Sequence, residues 1–77
     1  MDFKLNDELS VFCRNVKRLR QSHGLSKKEM AEIMGIGTES LSKIEGGTIP
    51  PRLNTSVLLR LARRFCLKLP ELFLPLE

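Results

Sequence analysis

The sequence predicts an all-α fold of five helices, on three observations. Apolar residues recur at three- and four-residue spacing, as in Leu9, Phe12, Cys13, Val16 and Leu19, which is the period of a helix face rather than of a strand. Strong helix formers predominate, with no Trp or Tyr and few Gly and Pro, a composition that suits neither a sheet nor a disordered chain. Helix stops then fall at intervals, at Gly24, Gly35, Gly46-Gly47 and Pro50-Pro51. Seventy-seven residues are expected to form one domain, 1–77. A domain of that size buries only about 60 % of its unfolded surface, so the core is small and a deep substrate pocket is not expected.

Asn6 is placed to cap helix one, with Asp7 and Glu8 at the positive end of its dipole, and the helix is expected from about Asn6 to Ser22. Arg14, Lys17, Arg18 and Gln21 look away from its apolar face. Gly24 supplies the stop and Leu25 can close over the helix end. Ser26 and Glu29 form a capping box that opens helix two. There Met30, Ala31, Ile33 and Met34 lie on or near the buried side, and Lys27, Lys28, Glu29 and Glu32 lie outside.

Gly35 offers a left-handed position, and Met34-Gly35-Ile36-Gly37 turns the chain tightly into helix three. Leu41 and Ile44 point inward in that helix, which leaves Thr38, Glu39, Ser40, Ser42 and Lys43 on its outer and leading positions. Ala31 falls where the two helices face each other, and its methyl group lets their backbones approach. Two short helices, a tight turn and a small residue at the crossing are the grammar of a helix-turn-helix.

Thr48 to Leu53 must be an extended loop, because neither Pro50 nor Pro51 fits a helix interior. Asn54 or Thr55 can cap helix four, with Val57, Leu58, Leu61, Ala62 and Phe65 inward and Arg60, Arg63 and Arg64 on a solvated outer face. Pro70 suits the first turn of a short helix five, ending near Phe73.

A net charge of +4 and a pI near 9.5 permit contact with a polyanion without requiring it. Cys13 and Cys66 both stand in apolar surroundings without metal-ligand spacing; buried reduced thiols are expected, and a disulfide between them stays open. The apolar runs fall far short of the roughly 20 residues that cross a bilayer, and no signal peptide is visible, so no membrane contact and a cytoplasmic location are expected. His23 is the sole histidine and has no evident nucleophile or carboxylate partner. Neither a phosphate-cradling glycine loop nor a metal cluster is present in the sequence, so no enzyme activity and no cofactor are expected.

Several of these motifs stand in a shared order. Val16-Lys17-Arg18-Leu19-Arg20, Gly24-Leu25-Ser26, Met30-Ala31, Gly35-Ile36, Leu41-Ser42-Lys43-Ile44-Glu45, Gly47, Leu61-Ala62 and Leu72-Phe73 together resemble the phage-repressor and Cro-like, or XRE-type, helix-turn-helix proteins over about residues 12–73. The resemblance implies a compact, five-helix, lambda-repressor-like DNA-binding domain with helices two and three as the helix-turn-helix. The chain departs from the family's pattern at Lys27, where glutamine is frequent, at Gly37, where serine or threonine is, and at Cys66, where glycine is.

By the same resemblance Arg20 pairs with Glu45, fixing helix three against the scaffold, and helix three enters the major groove of double-stranded DNA. Thr38, Glu39 and Lys43 then occupy base-reading positions, and Lys27, Lys28, Ser42, Thr48 and Arg52 are the candidates for phosphate contacts. A homodimer is implied, with Leu72, Phe73, Leu74 and Leu76 as its expected surface. Size and solitary architecture also resemble restriction-modification controller proteins and the DNA-binding partners of toxin-antitoxin pairs. A second expectation is therefore a protein-interaction module, an antitoxin-like partner with the same fold, little DNA affinity of its own and a toxin or effector protein to bind.

Overall fold

The computed structural model describes residues 5–50 and 53–75 and, within these, side chains from residue 8 onward. The chain forms α1 (Leu5–Ser22), α2 (Lys27–Met34), α3 (Thr38–Glu45) and α4 (Thr55–Arg64), followed by a 3-10 segment at Leu69–Phe73. The fold is all-α, with no strand among the described residues. The expected fifth helix is a 3-10 turn instead. Lys68 before it and Leu74 after it are both extended, and its backbone closes i→i+3 bonds, from the Glu71 amide to the Lys68 carbonyl and from the Leu74 amide to the Glu71 carbonyl. Asn6 lies inside α1 rather than at its cap, since the helix already includes Leu5.

Phe12, Val16, Met30, Met34, Leu41, Ile44, Leu61 and Leu72 are fully buried, one or two from every element. Each such side chain contributes about 1.5–3 kcal/mol by leaving water, so the core rests on few residues. α1 packs on α3 and on the 3-10 segment, and α2 packs on α3 and α4. α3 is therefore held from two sides, by α1 and by α2.

All four helices end in the same way. The amide five residues beyond a carbonyl of the last turn folds back to it, in Leu25 to Arg20, Ile36 to Ala31, Thr48 to Lys43 and Leu67 to Ala62, at 2.8–3.0 Å. In the first three a glycine of positive φ makes the bend; in the fourth Cys66 does, at φ 57°. This corrects the expectation that both thiols are buried. Cys13 is buried in α1, but Cys66 is exposed because the residue at a left-handed helix stop projects outward, and both thiols are free.

Asn15 is the single buried polar residue among those described, 2 % exposed on the apolar side of α1. Its amide nitrogen donates to the carbonyls of Leu72 and Leu74, both at 2.8 Å, and so ties the 3-10 segment to α1. Phe73 stacks on Phe12 beside it, with ring centroids 5.4 Å apart.

Candidate nucleic-acid interface

The helix-turn-helix is built from its caps inward. Ser26 accepts from the Glu29 amide at 3.1 Å while the Glu29 carboxylate accepts from the Ser26 amide at 2.8 Å, which starts α2 at Lys27 and points its first turn outward. Ala31, 2 % exposed, sits in the core among Met30, Met34, Leu41 and Ile44, so the two short helices share one apolar seam. The turn between them depends on Gly35. Its φ is 75°, and a Cβ there would lie 2.9 Å from Arg60 Nε. Arg60 comes from α4 and donates that nitrogen to the Ile33 carbonyl at 3.3 Å, closing the C-terminal end of α2. Sequence periodicity places Arg60 on a solvated face; its partner is a backbone carbonyl of another helix, which leaves no mark in the sequence.

α3 is anchored at both ends of its inner face. Leu41 and Ile44 are fully buried. At its last residue, Glu45 accepts from Arg20 Nε at 2.7 Å and from Nη2 at 3.1 Å, and Arg20 Nη1 also donates to the Leu25 carbonyl at 3.2 Å. The hydrogen bond to Glu45, reinforced by its charge and opposed by partial burial, holds the Arg20 guanidinium above its ordinary pKa.

The structure leaves Thr38, Glu39 and Lys43 exposed, and among the described residues none of their side chains has a hydrogen-bond partner. Glu39 and Lys43, four residues apart, share one face of α3. Lys27 at the start of α2 reaches across to α3, its Nζ 3.4 Å from the Ser42 hydroxyl. Lys28 is exposed beside it. Thr48 is exposed too, with its amide engaged by the Lys43 carbonyl at 2.8 Å. Arg52 lies outside the described residues.

The expected dimer surface divides. Leu72 is fully buried in the core of the protomer and has no side-chain area left to offer a second copy, which removes it from that surface. Phe73 is half-buried against Phe12, Leu74 is 57 % exposed, and Leu76 lies outside the described residues. Sequence reasoning gave no role to Asn15, whose signal was an amide three residues from Phe12 on the apolar side of a helix.

The remaining surface offers little to catalysis. His23 is exposed, its ring set edge-on against Phe65 with Nδ1 3.0 Å from the Leu19 carbonyl. Among the described residues no three His, Cys, Asp or Glu side chains gather as a metal site, and no helix is long and apolar enough to cross a membrane.

Comparison with known proteins places this architecture. A curated relative, the antitoxin PezA of Streptococcus pneumoniae serotype 4, is 49 % identical over 35 residues, which are 46 % of this chain and 22 % of that protein. The match thus spans about a fifth of the relative's length. No solved structure matches. The family model described as Helix-turn-helix matches residues 16–72, from the middle of α1 to the 3-10 segment. The chain belongs to the XRE-type, Cro-like helix-turn-helix family of DNA-binding transcription regulators.

Proposed function

We propose that the chain is a sequence-specific transcriptional regulator that binds double-stranded DNA as a small homodimer, with α3 in the major groove. The observation that carries this reading is the contrast within α3. One side is pinned by Leu41, Ile44 and the Arg20–Glu45 pair, while the other presents Thr38, Glu39 and Lys43 with no partner among the described residues. A base-reading helix needs that combination of rigid backing and uncommitted donors and acceptors. In this reading Lys43 donates to guanine O6 and N7, Glu39 accepts from cytosine N4, and Thr38 meets a thymine methyl or a base edge. Lys27, Lys28, Ser42 and Thr48, with Arg52, hold phosphates and set the register. Two copies joined through Phe73, Leu74 and Leu76 would engage half-sites about 34 Å apart.

The test is a fluorescence-anisotropy titration with DNA from immediately upstream of the gene, beside a scrambled duplex, at two salt concentrations. Preferential, salt-sensitive binding by two protomers per site supports the reading. Absence of binding at low salt contradicts it.

A second reading is favoured by the similarity to an antitoxin and by the carboxylate of Glu39 on the reading face, which phosphates would repel. In it the chain is a non-enzymatic partner of a toxin or effector protein and has little DNA affinity of its own. Binding that ignores both salt and Lys43→Ala selects this reading.

A further inference from the structure

We infer that the outward face of α1 extends the phosphate-binding surface past the start of α2 and holds the DNA backbone beside the end of α3. The inference rests on the DNA-binding reading above and extends it to residues that the sequence pattern assigns to solvent.

Arg14, Lys17 and Gln21 stand at spacings of three and four along α1, which aligns them on one side of the helix, and all three are exposed. Lys17 is the meeting point of this surface. It borders one shallow recess with Arg14 and Gly46, at the end of α3. It borders a second with Gln21, Lys27 and Ser42, the residues that join α1 to the start of α2 and the outer side of α3. The cations from Arg14 to Lys27 therefore form one strip alongside the recognition helix rather than scattered surface charges.

The strip carries uncompensated positive charge. Among the residues lining these recesses the sole carboxylate is Glu45, and Arg20 already matches it with two hydrogen bonds. The strip also lacks what a protein partner needs, an apolar or aromatic centre ringed by polar groups. Long, flexible cations with no anchor suit a repetitive polyanion. From Arg14 to Gln21 the helix rises about 10 Å. Phosphates on one DNA strand recur about every 3.4 Å of axis, so the strip has room for two or three of them. Contacts of this kind add affinity and register without reading bases.

The test compares the wild-type chain with Arg14→Ala, Lys17→Ala, their double variant, Lys27→Ala and, as a charge-matched control on α4, Arg63→Ala. Each is titrated by anisotropy against a mixed-sequence duplex over a salt series, after a thermal melt has verified folding. The inference expects each α1 substitution to lower the slope of log affinity against log salt by about 1 and the double variant by about 2, with base preference unchanged. Arg63→Ala is expected to keep the wild-type slope. A double variant with the wild-type slope, where Lys27→Ala lowers it, overturns this inference and leaves the DNA reading standing. An equal loss in Arg63→Ala also overturns it, because net charge alone would then account for the effect. A wild-type chain with no salt-sensitive DNA binding overturns the DNA reading itself.

Discussion

Arg20 and Glu45 close a two-point ion pair across the junction of α1 and α3, with the guanidinium 15 % and the carboxylate 5 % exposed. The planar fork matches the carboxylate edge, so the pair fixes orientation as well as distance. Because Glu45 is the last residue of α3, the pair sets how that helix is rotated on the scaffold. Arg20→Ala strands a buried carboxylate and is expected to cost about 3 kcal/mol in urea unfolding, the low end for a broken buried pair because Arg20 keeps some contact with water. Arg20→Lys is expected to recover only part of that, since a point charge cannot form both bonds. A loss below about 1 kcal/mol would mark the pair as an ordinary surface contact. The raised Arg20 pKa contributes stability at every pH below the ordinary arginine value, lost only as pH rises through the still higher folded value, so mild alkali does not release the pair.

Asn15 is the latch between α1 and the C-terminal segment. Asn15→Ala removes the donor shared by the Leu72 and Leu74 carbonyls and is expected to cost about 1–3 kcal/mol. Hydrogen exchange is expected to quicken first in the 3-10 segment. If protection there stays at the wild-type level, the latch role is refuted.

Cys66 stands where the other three helix ends place glycine, with φ 57°. A side chain in the left-handed region costs about 1–2 kcal/mol, partly offset by the greater freedom that glycine has when unfolded. Cys66→Gly is therefore expected to stabilise the fold by about 0.5–1 kcal/mol, read as a rise in thermal midpoint. A lower midpoint would show that the Cys66 side chain contributes packing that the positive φ conceals.

Burial pushes the Cys13 thiol above its ordinary pKa. The unfolded chain then loses the Cys13 proton at the ordinary thiol pKa while the folded chain keeps it, so stability declines as pH rises from there toward the higher folded value. Cys13→Ala is expected to lower stability overall and to flatten that alkaline decline in urea titrations at successive pH values. An unaltered pH slope in the variant would contradict the assignment.

Local signals made most of the architecture legible. The Ser26–Glu29 box, the stop at Gly24, the turn at Gly35 and the cap at Asn54, whose side chain accepts from the Val57 amide at 3.2 Å, all follow from spacing within a few residues. What escaped involves partners distant in sequence or backbone that has no side-chain code. Asn15 finds carbonyls 57 and 59 residues away, and Arg60 finds one 27 residues away. Leu72 and Leu74 read alike as apolar tail residues, yet one is fully buried and the other more than half exposed, because Leu72 lies in the 3-10 turn against the core while Leu74 follows it in extended backbone that leads away. Cys66 reads as a core thiol unless the helix stop beneath it is recognised.

In the proposed function Lys43 of α3 reads bases while Lys27 holds only backbone. The most direct test measures Lys43→Ala and Lys27→Ala against a panel of single-base variants of the preferred site, across a salt series. Lys43→Ala is expected to lose about 1–3 kcal/mol on the preferred site and to relax discrimination at one base pair. Lys27→Ala is expected to weaken every sequence alike and to lower the salt slope by about 1. Base preference that is unchanged in Lys43→Ala would contradict base reading by Lys43.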